Sequence, residues 1–380
     1  MKRIRWGIIG TGNIANQFAA GLLSLSDAQI VAIGSRDKNK SESFGARFGI
    51  PYRHASYMDL AHNPNVDVVY IATPSSCHKE NIRLCLNAGK AVLCEKPFTI
   101  SANEAAEVIA ISREKSRFLM EAMSMRFTPA LAKVLELLAS GIIGEVRMIK
   151  SDFGYKPNCS QQSRLFDLAL GGGALLDLGI YPLSLGHMIL GKPSKVTCVS
   201  CLGRTGVDEL SAVLLGYEGG QIALFSCSLC TYIRQETLII GTEGDIKIHP
   251  PFNLPIRITL RLFSRSGTYT IQGSSDIWAQ IQQKIKSFVT KRPIIQCLLS
   301  KYGDFYQRLI NELYKKEFCL PLCCNGYNYE AIEVMSCLRN GKLESEIMPL
   351  DETLAIIETL DHVRYQCGLK YRNEQNGSLL

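Results

Sequence analysis

Long apolar runs are missing from this chain. None reaches the roughly eighteen consecutive residues that a membrane-spanning helix requires, so a span is not expected. Strong charge is missing too: Lys and Arg exceed Asp and Glu by seven, and the excess is dispersed. That balance suits an anionic small ligand such as a nucleotide phosphate, and it argues against nucleic acid as a partner. Nor is there an apolar leader. Met1-Lys2-Arg3-Ile4-Arg5-Trp6-Gly7 opens on charge, and its apolar stretch is too short and glycine-broken for a signal peptide. It reads as the entry to a buried strand. No internal repeat or low-complexity tract occurs. Cysteine, by contrast, is plentiful at 14 residues, which without a secretion signal points to a reducing cytoplasm rather than a disulfide framework.

What is present is the grammar of two domains. A chain of 380 residues is long for one core, and 46% apolar with 20% charged residues is ordinary for a globular protein. Within residues 1–125, short apolar runs at 5–10, 29–35, 66–71, 91–94 and 118–122 alternate with helical patterns near 13–25, 38–48, 78–88 and 102–116. Strands separated by helices of that length imply right-handed crossovers and a doubly wound parallel sheet. From 126 to 380 the pattern changes. A helix at 129–140 leads to strand candidates at 146–155, 195–202, 210–217, 221–229, 236–241, 256–263 and 268–272, several joined at hairpin spacing by turn signals such as Glu243-Gly244-Asp245. The expectation is an α/β domain with a large, mostly antiparallel open sheet, closed by helices near 327–340 and 351–366. Between them, 277–318 reads as a helical insertion. Its apolar stripe with flanking Lys and Arg fits packing on its own domain better than a membrane surface or a docked partner.

Gly10-x-Gly12-x-x-Ala15 follows a strand and opens a helix, the context a dinucleotide-binding turn requires. Gly10 permits the turn, Gly12 admits the pyrophosphate, and the helix N-terminus offers free amides and a positive dipole. NAD-selective sites place a carboxylate at the end of the second strand. Here Ser35 and Arg36 come first, suited to a 2′-phosphate, so NADP is favoured with NAD possible. The competing reading turns Asp37 inward and leaves Arg36 as a helix cap. Expected cofactor contacts come from Gly10, Thr11, Gly12, Asn13 and Ile14 at the turn, and from Ser35 and Arg36. Thr73, Pro74 and His78 come after the third strand, and Glu95 and Lys96 after the fourth.

Glu95-Lys96-Pro97 ends a strand at the carboxyl edge of the sheet, where open α/β sheets bind ligands. A glycine-rich segment, Gly171-Gly172-Gly173 through Asp177 to Tyr181, supplies a phenol from the second domain. These motifs, with Met120-Glu121-Ala122-Met123-Ser124-Met125-Arg126 and the run from Tyr329 to Ser345, resemble the glucose–fructose oxidoreductase/inositol dehydrogenase (Gfo/Idh/MocA) family. Within it they are similar to the branch of dimeric dihydrodiol dehydrogenase and NADP-dependent D-xylose dehydrogenase. The resemblance implies a Rossmann domain and an open-sheet α/β domain that often pairs in a homodimer. It implies Lys96 as the catalytic lysine, Asp177 as the motif aspartate, and Tyr181 where many relatives carry histidine. Ser124 departs from the tryptophan common in relatives, and the insertion after residue 276 has no counterpart in shorter members.

Hydride transfer from a carbinol leaves a hydroxyl proton to be placed. Free tyrosine titrates near 10, too high for an efficient base at neutral pH. A neighbouring Lys96 ammonium is expected to lower that value. The reading is an oxidoreductase acting on a sugar, sugar derivative or cyclic diol. Tyr181 moves the proton, Lys96 polarises, and Asp177 bonds substrate hydroxyls or holds Lys96. Arg126 is a substrate-pocket candidate or, equally, a surface or inter-domain salt-bridge partner. Arg164 is another, although a salt bridge is the preferred role there. His78 is expected to orient backbone. Cys198-x-x-Cys201 and Cys227-x-x-Cys230 lie within strands and lack the glycine or proline of a zinc knuckle, so no metal is expected. Competing functions are a cofactor-sensing regulatory protein and an NAD-assisted glycosidase on the same fold.

Overall fold

The computed structural model describes residues 3–159, 163–263 and 315–371. Its first sheet is built from β1 (Ile4–Ile9), β2 (Ala28–Gly34), β3 (Tyr52–His54), β4 (Val68–Ile71), β5 (Ala91–Glu95) and β6 (Leu119–Ala122), in the order β3-β2-β1-β4-β5-β6. Every pairing is parallel. β4 and β5 are buried at every position, as central strands covered on both faces must be. Helices α1 (Asn13–Leu23), α2 (Lys38–Phe48), α3 (Tyr57–Ala61), α4 (His78–Asn87) and α5 (Ala102–Lys115) make the crossovers. Polar caps start several of them: Asp37 accepts from the amides of Asn39 and Lys40, and Ser101 from that of Glu104. The order is that of a doubly wound dinucleotide-binding sheet, so the expected class holds.

Two elements here escaped the sequence reading. β3 has three residues, largely exposed, and α3 has five. Neither is long enough to show an apolar period.

After α6 (Pro129–Ala139), the second sheet contains β7 (Val146–Gly154), β8 (Lys195–Leu202), β9 (Asp208–Gly216), β10 (Ile222–Ser228), β11 (Thr237–Gly241), β12 (Gly244–Ile248), β13 (Arg257–Leu262) and β14 (Lys315–Cys319). The order is β14-β13-β12-β11-β7-β10-β9-β8, antiparallel throughout except for β7 beside β10. α7 (Ile180–Leu190) packs against β7 on one face. Two expectations change here. Gly244 and Asp245 are not a turn but the start of β12, and the turn lies one residue earlier. The tail of the expected 277–318 helical insertion is strand, because residues 315–319 form β14. The remainder of that insertion and the 268–272 strand lie outside the described residues.

The closing helices α8 (Asn328–Arg339) and α9 (Leu350–Gln366) return to the first domain. α8 meets α1, and α9 packs on α5 as well as on α7 and β8. Backbone and side-chain bonds seal the seam: the Leu119 amide donates to Leu343 O at 3.1 Å and the Ala102 amide to Asp361 at 2.8 Å. A change of sheet near residue 125 therefore does not separate the helical packing. One helical stretch, Leu168–Leu190, is apolar and long enough to cross a membrane, but 83% of its apolar window is buried inside the protein, as befits a core helix. The sulfurs of Cys198, on β8, and Cys367, just after α9, lie against each other.

Candidate active site

The carboxyl ends of β2, β1, β4 and β5 open onto one cavity of about 820 Å³, and Asp177, Tyr181 and Tyr327 reach it from the second domain and the start of α8. Gly10 bends the chain there with φ of +104°, and a Cβ at this position would lie 2.6 Å from Ala72 O. Glycine is required on both counts. A Cβ on Gly12 would meet no protein atom, so its absence keeps the cavity wall open. No side chain caps α1, which leaves its first amides to a ligand. Open wall, free amides and volume together fit a dinucleotide.

Further along, Ser35 and Arg36 line the cavity. Asp37 lies at the same edge, but its Oδ1 accepts from Asn39 N at 2.9 Å and Lys40 N at 3.3 Å. Its carboxylate is thereby used at the start of α2. Lys40 and Tyr57, which the sequence reading passed over, line the same end. Lys40 comes four positions after Arg36, and that spacing was the available signal.

Thr73 and Pro74 line the middle of the cavity, whereas His78 does not. Its ring nitrogens lie 2.9 Å from Pro97 O and 2.9 Å from Thr73 O. Burial lowers its pKa, and the ring braces the loops after β4 and β5 from behind. The cofactor contact expected of it is thus corrected to support of the backbone.

At the β5 end, Lys96 Nζ donates to Asp177 O at 2.8 Å and lies 3.5 Å from Asp177 Oδ1. The Lys96–Pro97 peptide is cis. Asp177 sits in a π-helical turn, Leu175–Gly179, immediately before α7, a local widening often found at functional sites. Arg164 reaches the same Oδ1 at 3.2 Å. Burial alone would raise the Asp177 pKa, but the charges of Lys96 and Arg164 overcome it and hold the group below the ordinary value. Glu95 accepts from the Tyr70 hydroxyl through Oε1 and from the Lys96 amide at 3.2 Å through Oε2.

Tyr181 contradicts one expectation. Its pKa is raised well above 10, first by burial and then by Glu95 and Asp177. The Lys96 ammonium stands over the ring, 4.8 Å from its centroid, and donates to Asp177 O.

The salt bridge expected of Arg164 is present, to Asp177, while the pocket position expected of Arg126 is not. Arg126 is 3% exposed and absent from the cavity. It donates to Ser184 Oγ and O, both at 2.8 Å, to Ile347 O at 3.1 Å and to Glu352 at 2.6 Å. It is a strut between the 124–127 turn, α7 and α9. Arg164 lines the cavity instead, as does the buried Ser124. Tyr327 was also missed, since nothing in the sequence around it marks a site.

Among the described residues, no cluster of three His, Cys, Asp or Glu side chains forms a metal site. A family model described as an oxidoreductase family with an NAD-binding Rossmann fold matches residues 4–123, and a GFO/IDH/MocA C-terminal domain model matches residues 131–247. The chain is 35% identical to mouse trans-1,2-dihydrobenzene-1,2-diol dehydrogenase, covering 98% of this chain and 99% of the relative. It is 33% identical to the human protein of the same name at the same coverage. Among solved structures, an aldose-aldose oxidoreductase from Caulobacter crescentus, complexed with glycerol, superposes with a TM-score of 0.76 at 21% identity, covering 97% of this chain and 98% of that one. A 3-ketoreductase from Actinomadura kijaniata, in complex with NADP and TDP-benzene, gives 0.74 at 23% identity, covering 96% and 98%. The chain, with its glycine turn and its Lys96–Asp177–Tyr181 cluster on one cavity, belongs to the Gfo/Idh/MocA family of NAD(P)-dependent oxidoreductases.

Proposed function

We propose that the protein is an NADP-dependent oxidoreductase acting between a carbinol and a carbonyl carbon of a cyclic diol, sugar or sugar derivative, with NAD as a possible second cofactor. The observation that carries this reading is the meeting of Lys96, Asp177 and Tyr181 in the same cavity as the Gly10–Gly12 turn. The diol-dehydrogenase names of relatives at 33–35% identity support the substrate class. Preference for NADP is supported by Arg36 and Lys40 at the β2 edge, where Asp37 is occupied with its helix.

When bound, the nicotinamide supplies or takes the hydride. The protein's own task is the proton. Burial keeps Tyr181 a phenol at neutral pH, so it is poised to donate to the oxygen of a carbonyl as that oxygen gains charge. Lys96 has three hydrogens, of which one bonds Asp177 O, leaving donors for the same oxygen. Asp177 fixes the amine, and through it the approach of the substrate.

Turnover of dihydrodiols, aldoses and ketosugars, measured at the nicotinamide absorbance with each cofactor, tests the reading. Oxidation or reduction of at least one class with an NADP preference is expected. Failure of every class, with glycoside hydrolysis and a tightly retained nucleotide instead, would overturn it.

We also propose a homodimer through the uncovered face of the second sheet. Val199, Leu214 and Ile222 are 75%, 45% and 40% exposed there, and Val199 opposes the exposed Ala212 across β8 and β9. An apolar sheet face of this kind needs a cover. Sedimentation equilibrium should give twice the chain mass, and Leu214→Glu should give the monomer.

A further inference from the structure

At the start of α8, next to the cavity-lining Tyr327, lies a buried carboxyl group that this chemistry does not use. Glu330, on α8, is fully buried, and neither carboxyl oxygen has a hydrogen-bond partner among the described residues. As a carboxylate it would be an uncompensated charge in the interior. Burial raises its proton affinity well above the ordinary value, and nearby Glu95 adds to that. Glu95 is also buried and pushed up by desolvation, although the Tyr70 hydroxyl, Lys96 and Arg164 pull it down. The two groups come from β5 and α8. Glu95 lines the cavity, and Glu330 is buried three residues after Tyr327, which lines it too.

We propose that Glu95 and Glu330 work as one proton store tied to the redox state of the nucleotide. The pair releases a proton when a cationic, oxidised nicotinamide occupies the Lys96 end, and holds it when the ring is reduced and neutral. This rests on the proposed seating of the nicotinamide beside Lys96. The physical reason is that oxidised and reduced nucleotides share adenine, riboses and phosphates, and differ at the ring by one positive charge. A positive charge beside buried carboxyls favours their ionised form, and the low-dielectric interior strengthens the effect.

The protons balance. Binding of oxidised nucleotide releases one proton to solvent. Oxidation of a carbinol then breaks its C–H bond, with the hydride leaving to the ring, and its O–H bond, with the proton passing through Tyr181 to the ionised pair. Reduction runs these transfers backwards.

The other groups facing the pair are Tyr70 from β4, Cys94 and Lys96 from β5 and its edge, Glu121 from β6, Arg164 and Tyr181 from the second domain, and Tyr327 from the start of α8. Burial pushes Glu121 up to about 7, so it is the rival source of a proton near neutrality.

Calorimetric titration of the wild-type protein with NADP⁺ and with NADPH, in buffers of different ionisation heat, counts protons exchanged on binding. Oxidised nucleotide should release up to one proton more than reduced nucleotide. Its affinity should rise with pH by as much as about tenfold per unit, while that of NADPH stays level. Glu330→Gln should abolish the difference with both nucleotides still bound, and Glu121→Gln should preserve it. Equal proton counts for the two nucleotides in the wild type would overturn the inference, whatever the variants do. So would a difference that survives Glu330→Gln or vanishes in Glu121→Gln. Failure of either nucleotide to bind would remove the functional reading itself, a result distinct from binding without a proton difference.

Discussion

The Lys96 ammonium stands over the face of Tyr181, 4.8 Å from the ring centroid, and bonds Asp177 rather than the phenol oxygen. The relationship bears on whether Tyr181 keeps its own proton or shares it with the cation. The distinction can be measured.

If Tyr181 holds its proton because burial and Glu95 raise its pKa, kcat/KM for carbonyl reduction should not fall with a tyrosine-like step below about pH 10. A decline centred near pH 7 or 8 and abolished by Tyr181→Phe would restore the cation-lowered phenol. Tyr181→Phe and Lys96→Ala should each reduce kcat by roughly 10²–10⁴-fold, the usual contribution of a positioned proton donor. Nucleotide affinity, read by fluorescence titration, should be little changed.

At the β2 edge, Arg36 lies beside the Tyr57 hydroxyl, and Lys40 shares the cavity end. Loss of one charge-assisted contact to a 2′-phosphate amounts to about a tenfold rise in Kd. Arg36→Ala should weaken NADP by about that factor and leave NAD unaffected. Equal loss for both nucleotides would remove the assignment.

Arg126 predicts the opposite separation. Removing it strands Glu352 and the acceptors of Ser184 at a seam between α7 and α9. Urea denaturation of Arg126→Met should show a loss on the order of 3 kcal/mol, while KM for substrate in the folded fraction stays near wild type. A large KM effect without destabilisation would return Arg126 to the pocket.

His187 carries a pH prediction for stability. Burial, then the charges of Arg126 and Lys192, lower its pKa to about 4. Its folded value lies below the unfolded value of about 6.5, so between those pH values the unfolded chain binds more protons. The stability this provides is present above about pH 6.5 and is lost as pH falls toward 4. Thermal melts between about pH 7.5 and 5 should show a steeper fall for wild type than for His187→Gln. Parallel slopes would contradict the assignment.

How much of this was legible before the fold was known depended on local pattern. The central strands were readable because β4 and β5 are apolar on both faces, and the glycine turn marked the end of β1 as a nucleotide seat. β14 was not readable, since Lys315, Lys316 and Glu317 are exposed on an edge strand and show no apolar alternation. Gly244 read as a turn because glycine is common in turns. Its place against Leu262 is a matter of pairing with β13, which no local window contains. Lys96, Asp177 and Tyr181 were found as motif residues, but the buried carboxyl of Glu330 was invisible. An acidic residue in a helix is ordinarily solvated, and only packing against α1 and the first domain removes the water.

By itself the sequence determined the doubly wound sheet, the nucleotide turn and the identity of the residues at the β5 edge, because each depends on local periodicity or on the backbone freedom of glycine. Which guanidinium faces the cavity, which braces the domains, and where the Lys96 ammonium stands relative to Tyr181 were decided by tertiary structure alone. Burial and the distance between charges set those outcomes, and both arise between segments that are as far apart in sequence as Arg126 and Glu352.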